Sequence, residues 1–255
     1  MSNLSFFSYV NIGDNFEQLH FLRRLVAKYP DLQCTQYIKP EVLPHVSEVV
    51  EDVPQIAIKH VDERPGDAIN SWLACDDFIH KFPGKNADHV RYMLAWFRHL
   101  AEKIGLESPH SAVEDLLFDY PALLKPAPTD YDILFINSAP LSGQLRSYNP
   151  DAFNALAREL AAKNRVITTD KCDGLPCTRD FGLSLTGIGS LSRHVHSIIG
   201  VATGPLWPTL NIWNHNRLKL RVIMVDHEQL RYDASCKHAS SINQVHNIVR
   251  EANLI

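Results

Sequence analysis

Short apolar runs alternate with stretches of helical spacing along the first part of the chain. Residues 6–12 form an apolar run rich in strand-forming residues, which predicts a strand that ends at the turn Gly13-Asp14. From Asn15 onward, apolar residues recur every three to four positions, which predicts a helix that ends at Pro30. Further strands are predicted at residues 33–38 and 55–61, with a short helix between them. This alternation predicts a parallel sheet with right-handed crossovers and with ligands at the carboxyl ends of its strands.

A similar alternation returns after a proline-rich stretch. Residues 87–104 predict a long amphipathic helix that ends at Gly105. The prolines that follow place a domain boundary within residues 121–128, so we predict domains over residues 1–125 and 126–255. The second domain is predicted to have strands at residues 132–137, 165–169, 198–201 and 219–225, and helices at 150–163, 190–196, after Gly204 and at 240–251. The predicted fold class is therefore α/β, with two Rossmann-like halves built on parallel sheets.

The composition is that of an ordinary globular protein. The chain has 255 residues, of which 45% are hydrophobic and 21% are charged, and its formal net charge is -4. A basic surface for nucleic acid is therefore not expected. No apolar run reaches the roughly 20 residues that a membrane-spanning helix needs, and no basic region precedes the apolar stretch at the N-terminus. We expect a cytoplasmic protein without a transmembrane segment, and peripheral membrane contact stays open.

The sequence lacks the common metal and cofactor motifs. Its five cysteines are scattered and odd in number, which indicates reduced thiols rather than a disulfide framework. Cys172 and Cys177 are spaced too widely for a CxxC motif, and the thirteen histidines form no HExxH set. There is also no P-loop, no GxGxxG fingerprint and no GxSxG elbow. We expect no bound metal and no cofactor.

The Gly13-Asp14 turn is the first candidate site. It lies where a predicted strand meets a helix, so the glycine permits close backbone approach and the first-turn amides can bind an anion. Asp14 is then a candidate general base for an acceptor hydroxyl. The alternative is that Asp14 caps the helix, a role that stabilises a helix by about 1 kcal/mol.

Two segments of the second domain are candidates for phosphate contacts. Arg146, in the polar loop 137–149, could pair with a diphosphate through bidentate hydrogen bonds, or could be a solvated loop arginine. Thr168 and Thr169 follow a predicted strand and could hold phosphate or ribose oxygens. A surface turn has the same composition, so the structural alternative is favoured there.

The segment Thr203-Gly204-Pro205 is the most informative of these candidates. It places a hydroxyl, a glycine and the first amides of a predicted helix at the carboxyl end of a buried strand, which suits a diphosphate. The alternative is a simple turn with proline at the first helical position.

Several motifs resemble those of the ADP-heptose:lipopolysaccharide heptosyltransferase family. IGDNFEQLHFLRRLVAKYPDLQCTQYIKP is similar to the family's opening strand, Gly-Asp turn and helix, and HVRYMLAWFRHLAEKIGL to its helix before the interdomain crossing. INSAPLSGQLRSYNPDAFNALARELAAKNRVITTD is similar to the start of its donor-binding domain, and LTGIGSLSRHVHSIIGVATGP to its Thr-Gly donor loop. The resemblance implies two Rossmann-like domains facing a cleft, the GT-B arrangement.

The resemblance also implies an activity. It implies a metal-independent glycosyltransferase that moves a sugar from a nucleotide diphosphate sugar to the hydroxyl of a glycan or other acceptor. It implies Asp14 as base on the acceptor-side N-terminal domain, and Arg146, Thr203 and Gly204 near the donor phosphates on the C-terminal domain.

The donor loop departs from the family pattern at two positions. Ala202 stands where the family has Asp, and Trp207 stands where it has His. Two alternatives therefore stay open: a non-catalytic relative that binds a nucleotide sugar or a partner protein, and a sugar-nucleotide epimerase on the same scaffold.

Overall fold

The computed structural model describes residues 3–72, 89–140, 145, 148–225 and 236–255. The chain divides into two compact units, Met1–Ala122 and Leu123–Ile255, and each unit is built on its own sheet. Every pairing between the named strands of both sheets is parallel. The prediction of an α/β fold with two parallel sheets is confirmed.

The first unit contains a four-stranded sheet. Its strand order is β3-β2-β1-β4, from β1 (Asn3–Phe7), β2 (Gln33–Ile38), β3 (Ile56–His60) and β4 (Ile69–Asn70). Its α-helices are α1 (Ile12–Lys28), α2 (Leu43–Val46) and α3 (His89–Lys103), and short 3-10 helices occur at Ser47–Val49, Val61–Glu63 and Val113–Leu116. Gly105 follows α3 with a φ of 70°, the left-handed conformation that ends helices.

The predicted boundary between the first strand and the first helix is wrong. The strand ends at Phe7 and α1 begins at Ile12, so Gly13-Asp14 belong to the first helical turn rather than to a preceding turn. Side-chain hydrogen bonds hold the backbone between β1 and α1. The Ser8 hydroxyl accepts a hydrogen bond from the Val10 amide at 3.2 Å, and the Asn15 Nδ2 donates to the Val10 and Asn11 carbonyls at 3.2 and 2.9 Å.

Helix α1 packs its apolar face into the core of the first unit. The predicted core residues on this helix are all buried: Phe16, Leu19, Leu22, Leu25 and Val26. Phe21 stacks on Phe97 of α3 with ring centroids 5.2 Å apart. This core fixes the start of α1 beside the carboxyl end of β1, which is the edge where ligands bind in parallel sheets.

The second unit contains a five-stranded sheet. Its order is β6-β5-β7-β8-β9, from β5 (Ile133–Ile136), β6 (Val166–Thr168), β7 (Ser197–Val201), β8 (Leu220–Met224) and β9 (Cys236–Ala239). Its α-helices are α4 (Pro150–Ala161), α5 (Leu185–Ser192) and α6 (Ile242–Glu251), and 3-10 helices occur at Thr178–Phe181 and Gly204–Thr209. A further 3-10 helix lies at Pro121–Leu124, across the boundary between the units.

Three predictions for this unit are wrong. The helix predicted at residues 190–196 is α5, which starts at Leu185 because the Ser184 hydroxyl accepts a hydrogen bond from the Gly187 amide at 3.2 Å. The predicted last strand, at residues 219–225, is followed by β9, a four-residue strand without an apolar run. The helix predicted after Gly204 is a short 3-10 helix, and Pro208 lies within it.

Among the described residues, no helix combines the length and the apolar character needed to cross a membrane.

Candidate functional site

Asp14 lies at the carboxyl edge of the first sheet. It occupies the first turn of α1, which begins five residues after β1 ends, and its side chain is partly buried. Burial raises the pKa of the Asp14 carboxyl to about 6, and a hydrogen bond from its own backbone amide lowers the pKa by a smaller amount. A carboxylate with this pKa is a better proton acceptor near neutral pH than an ordinary aspartate.

Asp14 is not the residue that caps α1. The N-cap residue is Asn11, in an extended conformation and without a side-chain capping hydrogen bond. Gly13, directly before Asp14 in the first turn, is buried. The carboxylate is therefore placed at a helix N-terminus, where the helix dipole favours negative charge, without being used as a cap.

A buried polar network lies at the same edge of the first sheet. The Ser71 hydroxyl donates to Gln18 Oε1 at 2.8 Å, and Gln36 Nε2 lies 3.2 Å from Gln18 Oε1 and 3.1 Å from Ser71 Oγ. The Ser71 amide also donates to the Phe7 carbonyl at 3.0 Å, so the network ties the end of β4 to that of β1. The sequence analysis did not single out these residues. Gln18 gave one signal, because this polar residue lies four positions before Leu22 and therefore on the apolar face of α1.

Thr168 and Thr169 lie at the carboxyl edge of the second sheet, and the protein itself uses both hydroxyls. The buried Thr168 hydroxyl donates to the Pro176 carbonyl at 3.2 Å. The buried Thr169 hydroxyl accepts from the Asn137 amide at 3.1 Å and lies 2.8 Å from the Ser138 hydroxyl. Both threonines therefore shape the loops at this edge rather than presenting a hydroxyl to solvent.

Asn137 organises the loop that follows β5. Its Nδ2 donates to Asn154 Oδ1 at 2.9 Å and to the Asp170 carbonyl at 3.1 Å, and its Oδ1 accepts from the Asp170 amide at 2.8 Å. The Tyr148 hydroxyl donates to the Asn137 carbonyl. Sequence reasoning placed a ligand loop here without identifying Asn137 as its anchor. Arg146, the predicted phosphate ligand in this loop, lies outside the described residues.

Thr203, Gly204 and Pro205 follow β7, near the centre of the second sheet. Gly204 and Pro205 start the 3-10 helix, and Thr203 holds its N-cap position without a side-chain capping bond. The Thr203 hydroxyl oxygen is buried and has no hydrogen-bond partner in the part of the chain that the structure describes. Buried polar groups are normally hydrogen-bonded, so this hydroxyl is a candidate for a contact with a bound ligand.

A second buried polar network supports the Thr203 segment. Asn214 Nδ2 donates to Ser192 Oγ at 2.7 Å and to the Thr209 carbonyl at 3.0 Å, and Asn214 Oδ1 accepts from Arg217 at 2.7 Å. Asn214, Ser192 and Thr209 are fully buried. The segment that carries Thr203 and Gly204 is thus fixed to α5 and to the chain before β8.

Metal coordination has no candidate group among residues 3–72, 89–140, 145, 148–225 and 236–255. No set of three or more His, Cys, Asp or Glu side chains in these ranges could hold a metal ion.

Comparisons with known proteins give matches in structure alone. No protein-family model and no curated protein sequence matches the chain. The E. coli heptosyltransferase WaaC with ADP-2-deoxy-2-fluoro heptose matches with a TM-score of 0.60 and 11% identity, over 98% of this chain and 100% of that chain. The iron-containing dodecameric glycosyltransferase TibC, from enterotoxigenic E. coli H10407, matches with a TM-score of 0.57 and 14% identity, over 93% of this chain and 64% of that chain.

A third match is a glycosyl transferase of family 9 from Veillonella parvula DSM 2008, with a TM-score of 0.55 and 13% identity, over 99% of this chain and 92% of that chain. At these identities the likeness shows a shared fold. The resemblance to heptosyltransferases that the sequence motifs indicate is confirmed at the level of the fold, which is of the GT-B heptosyltransferase type.

Proposed function

We propose that this chain is a glycosyltransferase that moves a sugar from a nucleoside diphosphate sugar to an acceptor hydroxyl. The observation that carries the proposal is Asp14, a partly buried carboxylate whose pKa is raised to about 6 at the ligand-binding edge of a parallel sheet. The solved structures with this fold support the reaction class, because they are glycosyltransferases and one of them holds an ADP-linked fluoro-heptose. The sugar and the nucleotide of this chain's own donor are left open in the proposal.

In the proposed reaction, Asp14 is the general base. The acceptor oxygen attacks the anomeric carbon of the donor sugar and its proton passes to the Asp14 carboxylate. A bond forms between the acceptor oxygen and the anomeric carbon, and the bond from that carbon to the phosphate oxygen breaks. The nucleoside diphosphate leaves with the electron pair.

The second unit holds the leaving diphosphate in this proposal. The Gly204 amide offers a donor to a phosphate oxygen, and the Thr203 hydroxyl offers one more. Pro205 has no amide hydrogen and sets the direction of the chain after Gly204. We therefore assign the donor side to residues 126–255, with Arg146 as a predicted ligand, and the acceptor side to residues 1–125.

We also propose that the protein acts in the cytoplasm. Cys34, Cys172 and Cys177 are buried free thiols, as expected in a reducing compartment.

Replacement of the base tests the proposal. Asp14→Asn keeps the size of the side chain and removes its basicity, so we expect turnover to fall by about a hundredfold or more, the usual scale of general-base catalysis. Asp31→Asn, an exposed carboxylate after the end of α1, is the matched control and should leave turnover unchanged. Turnover by Asp14→Asn at the rate of the control would refute the assignment of the base.

The pH dependence of turnover gives a second test of the same residue. A base with a pKa of about 6 is mostly ionised at pH 8 and about one-tenth ionised at pH 5. We therefore expect kcat/KM to fall by about tenfold between these two pH values.

The alternatives predict different outcomes in the same assays. Ala202 and Trp207 in the donor loop motivate the non-catalytic alternative, for which nucleotide-sugar binding occurs without turnover in the presence of any acceptor. An epimerase would change the free nucleotide sugar when no acceptor is present.

A further inference from the structure

The buried amide of Gln18 has one end without a partner. Its Oε1 lies 2.8 Å from Ser71 Oγ and 3.2 Å from Gln36 Nε2, so two hydrogen bonds hold its oxygen end. Its Nε2 is buried and has no hydrogen-bond partner among the residues that the structure describes. Buried polar groups are hydrogen-bonded with few exceptions, so this donor indicates an acceptor close to Gln18.

Asp14 offers such an acceptor one helical turn away. It precedes Gln18 by four positions in α1, and side chains at this spacing are neighbours on one face of a helix, with Cβ atoms about 5–6 Å apart. Within the described part of the chain, the one hydrogen bond that lowers the pKa of Asp14 comes from its own backbone amide. The two residues therefore have complementary unused groups, a donor on Gln18 and an acceptor on Asp14.

Charged side chains do not take the place of this donor. In the described ranges, the pKa of Asp14 is shifted by burial and by its own backbone amide, and no cation is among the causes. Glu17 is the other carboxylate of α1. Burial and the Glu17 charge raise the pKa of the Tyr120 hydroxyl, so Glu17 acts toward that ring. A neutral amide is thus the donor that the helix places beside Asp14.

The triangle of Gln18, Gln36 and Ser71 does not by itself determine which end of Gln18 faces outward. If oxygen and nitrogen exchanged places in both glutamines, the same three distances would still join donors to acceptors, because the Ser71 hydroxyl both donates and accepts. A group outside the triangle must therefore select between the two arrangements. An ionised carboxylate beside Gln18 selects the arrangement that the structure has, with Nε2 outward.

We propose that Gln18 is a positioning residue for Asp14, with its Nε2 donating to the ionised carboxylate and holding it in one orientation, an inference that rests on the proposed function. Gln36 on β2 and Ser71 after β4 hold the other end of the amide, so two strands fix the direction of the donor. A base that is oriented before the acceptor arrives loses less freedom in the reaction. A hydrogen bond to the charged form also favours that form, which offsets part of the effect of burial on Asp14.

The titration of Asp14 in the whole chain tests this inference without donor or acceptor. The carboxyl groups of isotope-labelled aspartates are followed by NMR as the pH changes, and Asp14→Asn assigns the resonance by removing it. Gln18→Met keeps an unbranched side chain of similar size and removes the donor. We expect Gln18→Met to raise the pKa of Asp14 by about 1, the scale of one hydrogen bond to a charged group. Gln33→Met, at the opposite end of β2, is the matched control and should leave this pKa unchanged.

Gln36→Met separates a positioning role from a structural one. It removes two hydrogen bonds of the same network but leaves Gln18 Nε2 in place. We expect both Gln36→Met and Gln18→Met to unfold at lower urea concentration than the wild type, and only Gln18→Met to change the pKa of Asp14. In turnover assays, the fall of kcat/KM at low pH should begin at higher pH in Gln18→Met, while the KM for the donor stays unchanged.

Two results would overturn the inference. They are equal pKa values of Asp14 in Gln18→Met and the wild type, and equal increases in Gln18→Met and Gln36→Met, which would indicate general loosening. If Gln18→Met does not fold, Gln18→Glu provides the same test. Its carboxylate should raise the pKa of Asp14 by more than the loss of the donor does, and an unchanged pKa would place Gln18 away from Asp14.

The proposed function fails separately from this inference. If the pKa of Asp14 depends on Gln18 but Asp14→Asn retains full turnover, only the assignment of the base is wrong. If Asp14→Asn loses turnover and the pKa of Asp14 does not depend on Gln18, only the positioning role is wrong.

Discussion

His110 lies in the core of the first unit, where neither of its ring nitrogens has a hydrogen-bond partner among the described residues. Its ring packs on Phe97, with centroids 4.4 Å apart, and lies 5.4 Å from the ring of His20. Burial lowers the pKa of His110 to about 3, against a smaller opposite effect of the Asp115 carboxylate. A change of pH therefore perturbs the stability of the folded protein through this buried histidine.

The direction of the effect follows from proton binding. A histidine whose pKa is lower in the folded protein binds more protons in the unfolded chain, so stability falls as the pH falls below the unfolded value of about 6.5. For His110 the loss between pH 7 and pH 5 is about 2 kcal/mol. Asp14 acts in the opposite direction, since its raised pKa makes the folded state bind more protons, and it offsets at most about 1 kcal/mol because its side chain is partly exposed.

The variant His110→Phe isolates this effect. It keeps an aromatic ring against Phe97 and removes a group that charges only in the unfolded chain. Urea unfolding at pH 7 and pH 5 should show that the wild type loses about 2 kcal/mol more than His110→Phe over this interval. His45→Gln, at an exposed position, is the control and should lose as much as the wild type. Equal losses in the wild type and His110→Phe would refute the reasoning.

Two further predictions concern the second unit, and both are measured by urea unfolding at neutral pH. Gly200→Ala should destabilise the protein by about 3 kcal/mol, because a Cβ at this position of β7 would lie 2.3 Å from the Ile136 carbonyl oxygen. Gly66→Ala, where a Cβ meets nothing within 4 Å, is the control, and an equal loss in both would contradict the steric account. Asn214→Ala should also cost about 3 kcal/mol, since three hydrogen bonds of its buried side chain are lost and their partners stay buried. The exposed Asn243→Ala should cost less than about 0.5 kcal/mol, and a similar value for Asn214→Ala would show that its network adds little.

Strong periodicity was sufficient to locate the long elements. The strand predicted at residues 33–38 is β2, and the helix predicted at residues 87–104 is α3 (His89–Lys103). The pattern could not reveal where β1 ends, since the apolar run continues from the strand into the helix, and the side-chain hydrogen bonds of Ser8 and Asn15 determine the bend. Strand β4 has two residues, which is too short for any period to show.

The candidate site could be predicted only in part, because the sequence shows local patterns but not the contacts that the fold creates. A Gly-Asp pair near a strand end pointed to Asp14, but its raised pKa arises from burial in the folded protein, which the sequence pattern does not show. Gln36 and Ser71 gave no signal because only the fold brings them to Gln18. Thr168 was a candidate because it follows a strand, and only the structure shows that its hydroxyl is bound to the Pro176 carbonyl.

Calorimetric titration of the whole chain with nucleoside diphosphates and nucleotide sugars tests the central claim most directly. We predict that one nucleotide family binds selectively and that, at a hundredfold excess over its Kd, it stabilises the folded protein by about 2.7 kcal/mol. Thr203→Val should weaken this binding by about tenfold, since it removes one hydroxyl contact to a charged phosphate. The absence of heat and of stabilisation across the whole panel would contradict the claim that this chain binds a nucleotide sugar donor.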